Sequence, residues 1–258
     1  MNLEIAQYLV PFKDDLQKHY SWPFDVNIPK SKFGFNFTGK NMFANTLQLK
    51  SQLQNAAIRA RDNEELKLLA DYFIKEWGGH KNNFDILNLI EKHKKISFSR
   101  DVPSNFDFEF KNISEWSKWL CIVCPAWAVI YDARVIYSIN AINYLTGSKY
   151  KIFPMPEIRN QKINFLDIST LILNDRLSST DSADPRFATD YHFVDKKIAY
   201  VQYADLIKKV GSQLYGKRSA GHIDAEMLLF SLADRQIFED VFLKVKSGKK
   251  GNVRIEKR

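Results

Sequence analysis

NISEWSKWLCIVCPAWAVIYDARVIYSINAINYLT, residues 112–146, is the stretch whose reading decides the fold. Its first part is apolar from about Ser114 to Val123 and predicts a helix. Pro125 ends that helix, because proline lacks the N–H and clashes with the preceding turn. The run Trp127-Ala128-Val129-Ile130-Tyr131 then leads into Asp132, and a second helix is predicted from there. Val135, Ile139 and Ile142 recur four and three residues apart, on one helix face.

The same periodicity extends outward in both directions. Upstream, residues 3–20 predict a helix through Leu3, Ala6, Leu9 and Val10. Residues 21–40 carry Pro23, Pro29, Gly34 and Gly39 and read as an irregular connection. Helices follow over 42–61 and 62–76, the second with Leu66, Leu69, Phe73 and Trp77 on one face and Gly78-Gly79 as its stop. A further helix fits 83–95, and 96–110 reads as extended from the alternation Ile96-Ser97-Phe98-Ser99. Downstream come a loop at 147–162, a helix at 164–176 and a polar loop at 178–185. Tyr200, Tyr203, Ile207, Val210 and Leu214 mark another helix, and 223–239 a last one. The expected fold is all-α: a compact multi-helix globule, either single or as two lobes around a groove. Its parts are an N-terminal helix and irregular segment (1–40), a helical domain (41–243) and a basic, disordered tail (244–258).

Composition agrees with helices. The chain has 258 residues, 45% hydrophobic, with only 8 Pro and 10 Gly, too few to punctuate a sandwich of short strands. Lys and Arg exceed Asp and Glu by 38 to 30, a formal +8. That excess suits a polyanionic partner such as DNA or RNA, although basic charge alone does not require one. The two cysteines, Cys121 and Cys124, lie in an apolar run without a second Cys pair. They read as buried helix residues, and neither a metal nor another cofactor is expected. The N-terminus has no basic segment followed by a long apolar one, and the apolar stretch near Leu120–Tyr131 is too short to span a bilayer. A cytoplasmic monomer without membrane attachment is expected.

Asp132 opens its helix in line with Val135, Ile136 and Ile139, at the positive end of the helix dipole. Capping alone accounts for an aspartate there. Spacing does not decide between a cap and a functional carboxylate.

Ile130-Tyr131-Asp132-Ala133-Arg134-Val135, with Trp116-Ser117-Lys118 and Pro125 before it, resembles the helix-hairpin-helix DNA glycosylase superfamily. It is similar to a bacterial branch with an 8-oxoguanine-glycosylase-like fold. The likeness extends more weakly to Trp77-Gly78-Gly79, Arg159-Asn160 and the segment from Glu226 to Phe230. The resemblance implies excision of a damaged or modified base from double-stranded DNA, with Asp132 as the catalytic carboxylate. It also implies base flipping, and a role in repair or in defence against phage with hypermodified DNA, such as glucosylated hydroxymethylcytosine. Trp77, Gly78, Trp116, Tyr131, Arg134, Arg159, Asn160 and Glu226 become candidates for the pocket or the DNA interface, with Trp119 and Trp127 as further aromatics.

Three family features are missing: the glycine-rich hairpin, the iron–sulfur cysteines, and the lysine of bifunctional members, whose place is held here by Ser114. Lys118 stands one helical turn later. It is a candidate second catalytic group or a DNA-positioning residue at a groove edge, and a monofunctional enzyme is expected. Glu226 shares the face of Leu229, Phe230 and Ala233, where a carboxylate needs a partner such as Arg134 or Arg159. Two rival readings stand beside this one. Arg186 and His192 fit the loose arginine–histidine spacing of HEPN-type helical RNases. A DNA-binding protein keeping the glycosylase fold without turnover is the other.

Overall fold

The computed structural model describes residues 3–80, 84–103, 106–156, 161–177, 192–216 and 220–248. Among them the chain is all-α, with one isolated bridge, Ile152 to Phe193, in place of any strand. None of these helices is long and apolar enough to cross a membrane. The chain divides into two units that interleave in sequence: residues 1–14, 107–111 and 131–258 form the first, and 15–106 with 112–130 the second.

In the first unit α1 (Leu3–Leu9) precedes a 3-10 turn at Val10–Asp15. The second unit contains α2 (Leu16–His19), α3 (Asn27–Phe33), α4 (Met42–Arg59), α5 (Asn63–Asp71), a π-helical turn (Tyr72–Trp77), α6 (Ile86–His93) and α7 (Ile113–Val123). Every residue of α7 is buried, the charged Glu115 and Lys118 included, and it packs on α4, α6 and the π turn. The chain returns to the first unit for α8 (Ala133–Thr146), α9 (Gln161–Phe165), α10 (Ile168–Leu177), α11 (Ala199–Tyr215), α12 (Gly221–Leu232) and α13 (Gln236–Ser247). There α8 is the central element: Val135 through Leu145 are all buried, against α1, α10, α12 and α13. α11 and α12 cross closely at Gly211 and Gly221. A Cβ on Gly211 would lie 2.4 Å from the Gly221 carbonyl oxygen, so only glycine admits this crossing.

Four expectations are corrected. The segment expected to be irregular contains α3, closed by Gly34 in the left-handed region. Ile96–Phe98 is a turn rather than an extended strand: Phe98 has φ 66° and donates its N–H to the Val123 carbonyl. The last expected helix is two, because the chain turns at Ala233–Arg235. The basic tail begins later than expected, since α13 runs to Ser247 and Lys244 is 3% exposed. The polar loop 178–185 and residues 249–258 lie outside the described residues.

Candidate functional site

Asp132 is the N-cap of α8. Its backbone is extended (φ −97°, ψ 146°), and its Oδ1 accepts the Arg134 N–H at 2.8 Å. This satisfies one of the donors that a helix start leaves open. The side chain is half-buried, and its Oδ2 has no hydrogen-bond partner among the described residues. A carboxylate held by one oxygen at a helix N-terminus, with the other open, can face a developing cation or a water molecule. Arg134, in the same first turn, forms an ion pair with Asp234 at 3.3 Å and lies 4.8 Å over the Phe230 ring.

Tyr131 immediately precedes Asp132 and is fully buried. Its hydroxyl donates to the Pro154 carbonyl at 2.8 Å, and its ring meets Phe110 and Tyr203 edge-on at 5.8 and 5.0 Å. Burial pushes its phenol far above the ordinary range. The neighbouring Asn140 side chain clamps the Phe153 peptide from both sides, at 2.9 and 3.0 Å. These contacts fix the entry to α8 and hold Tyr131 as core. Glu226 is buried on α12.

The tryptophan candidates lie in the second unit. Trp77 stacks on Phe73 at 4.3 Å, Trp116 stacks on His93 at 5.6 Å, and Trp119 and Trp127 are buried too, so these candidate indoles are packed rings. Arg159 and Asn160 fall outside the described residues, as does Arg186 of the RNase spacing. His192, its partner there, sits in the turn before the bridge residue Phe193 and not on a helix. Cys121 and Cys124 are thiols outside any disulfide, and both are buried, as expected. Their thiols face the carbonyls of Ala128 and Ile96, and burial raises the Cys124 pKa.

Lys118 corrects the expectation of an ammonium at a groove edge. It is 3% exposed, and its Nζ donates to the Ser114 carbonyl and meets His80 Nε2, both at 2.9 Å. The other His80 nitrogen, Nδ1, meets Glu115 Oε1 at 2.9 Å, with the two side chains 12% and 10% exposed. The partners assign the tautomer: Nδ1–H donates to the carboxylate and Nε2 accepts from the ammonium. Burial works to raise the Glu115 pKa. The hydrogen bond from His80, the Glu115 backbone N–H and the charge of Lys118 together outweigh it, so the carboxyl titrates below its ordinary value. Gly78 makes room for Lys118: a Cβ there would lie 2.8 Å from Lys118 Cε. Sequence reasoning missed His80. The available signal was a histidine directly after Gly78-Gly79 and a Glu–Lys pair one turn apart on α7.

Among the described residues, one cleft of about 690 Å³ lies in the first unit and one of about 550 Å³ in the second, and the residues lining these two do not include Asp132. Comparisons with protein-family models, curated proteins and solved structures returned no match to the chain.

Proposed function

We propose that the chain is a monofunctional DNA glycosylase that hydrolyses the N-glycosidic bond of a modified base, with Asp132 as its catalytic carboxylate. The observation that carries this reading is the Asp132 carboxylate, anchored through Oδ1 at the start of α8 and open at Oδ2. The C1′–N bond breaks and its electron pair leaves with the base, so positive charge builds on the deoxyribose. A fixed carboxylate stabilises that charge and takes a proton from the water whose oxygen bonds to C1′. Engagement of the Lys118 amine by His80 and Ser114 supports water, rather than this lysine, as nucleophile. The net charge of +8 supports DNA as the partner.

The test is incubation with genomic DNAs carrying different modified bases, with the released base identified by mass spectrometry. Base release that disappears in Asp132→Asn is the expected result. Absence of release from every DNA, with salt-sensitive binding retained, would favour a DNA-binding protein without turnover. That second reading is supported by the Asp132 carboxylate already serving as a cap.

A further inference from the structure

The first unit contains a cationic cleft that the reading above does not use. It has a volume of about 690 Å³ and lies beside the loop that follows α8. Lys149, Tyr150 and Lys151 line it from that loop, and Gln202, Asp205 and Lys209 from α11. The loop is held in place from beneath. Ser148 donates its N–H to the Asn143 carbonyl at 2.9 Å, and the Arg176 guanidinium holds the carbonyls of Ser148 and Tyr150. Ile152 exchanges backbone hydrogen bonds with His192 and Val194 at 2.7 and 2.9 Å, and Asn140 clamps Phe153. The three side chains at its tip are exposed and stand on a fixed backbone, so binding need not order the loop first.

The charges are not all alike. Asp205 neutralises Lys209 through an ion pair one turn away, and Glu4 adds a carboxylate at the wall. Lys149 and Lys151 form no ion pair with any described residue. Two ammonium groups outside any described ion pair, flanking an exposed tyrosine ring, are the combination that grips a phosphodiester strand and stacks a base.

We propose that this cleft holds one strand of DNA, with Lys149 and Lys151 on its phosphates and Tyr150 against an unpaired base. The choice of DNA rests on the glycosylase reading; the cationic cleft itself does not.

The test is fluorescence anisotropy of the full chain with a labelled oligothymidylate over a range of salt. Replacing both lysines (Lys149→Ala with Lys151→Ala) is expected to flatten the log–log salt slope by about 1.4, at ~0.7 per phosphate on a single strand. Tyr150→Ala is expected to weaken binding about fivefold or more with the slope kept. An unchanged slope in the double variant overturns the proposal. Inorganic polyphosphate is the counter-probe, and Tyr150→Ala is expected to bind it as the wild type does. An equal loss on both probes removes the stacking role and overturns the assignment to DNA. Base release separates the two readings. Release with an unchanged slope sinks the cleft alone, whereas a flattened slope without release sinks only the catalytic reading.

Discussion

Lys118 donates its ammonium to His80 Nε2 at 2.9 Å, from a position only 3% exposed. The ring passes the interaction on to Glu115, 2.9 Å from its other nitrogen, and the Ser114 carbonyl accepts from the same ammonium. Removing the ring leaves an ammonium and a carboxylate buried without their shared partner. Breaking such a network costs about 3–5 kcal/mol. His80→Ala is therefore expected to lower the urea midpoint of unfolding sharply. A midpoint within error of the wild type would show that the three groups do not hold the second unit together.

The same network makes the protein acid-sensitive. The Glu115 pKa is lowered in the folded protein, so the folded state favours its ionised form. That contribution is complete above the ordinary glutamate value of 4.5 and is lost as pH falls through the lower, folded value. Thermal melts from neutral pH downward should show this decline, and Glu115→Gln should remove part of it while lowering stability at neutral pH. If the wild type and Glu115→Gln lose stability in parallel throughout the acid range, Glu115 contributes nothing to the slope.

Gly78 tests the packing around Lys118 without touching a charge. Its φ of −80° suits any residue, so alanine adds no backbone strain. The added Cβ would lie 2.5 Å from the Ile74 carbonyl oxygen and 2.8 Å from Lys118 Cε. Overpacking of this kind costs about 1–3 kcal/mol. Gly78→Ala should lose stability in that range, and wild-type stability would mean that the Ile74 carbonyl and Lys118 both move aside freely.

Much of the fold was legible because burial follows local periodicity. The stripe Tyr200, Tyr203, Ile207, Val210 and Leu214 is buried as its spacing predicts, and Pro125 and Asp132 bound α7 and α8. The failures have non-local causes. The alternation at Ile96–Ser99 has the look of a strand, but Phe98 takes φ 66° to reach the Val123 carbonyl on another element. Lys118 looks solvent-seeking because lysine is rarely buried without a partner, and that partner lies 38 residues away. At the site, the capping geometry of Asp132 was readable from residue type and position. The burial of Tyr131, Trp77 and Trp116 was not, since aromatic residues serve cores and pockets alike.

The engaged amine also bears on reaction class. A Schiff base requires a free, deprotonated lysine at the sugar. Lys118 Nζ is instead committed to His80 and the Ser114 carbonyl. Borohydride added during turnover is expected to trap no covalent complex, and the DNA strand should break only after alkali. A trapped complex lost in Lys118→Gln would make Lys118 the nucleophile.

The decisive substitutions are at Asp132, where capping and catalysis can be separated. The proposed catalytic role would use the carboxylate that caps α8, but the cap needs only an acceptor for the Arg134 N–H, whereas the proposed chemistry needs a negative charge. Asp132→Asn keeps the acceptor and should unfold close to the wild type. It should also keep DNA affinity, yet lose base release about a hundredfold or more, as loss of an electrostatic stabiliser does. Asp132→Ala removes both, so it should lose turnover to the same extent and about 1 kcal/mol of stability besides. Urea unfolding beside single-turnover base release measures the two effects on the same samples. If Asp132→Asn turns over like the wild type and only Asp132→Ala is impaired, in step with its stability, then Asp132 is a cap and no more.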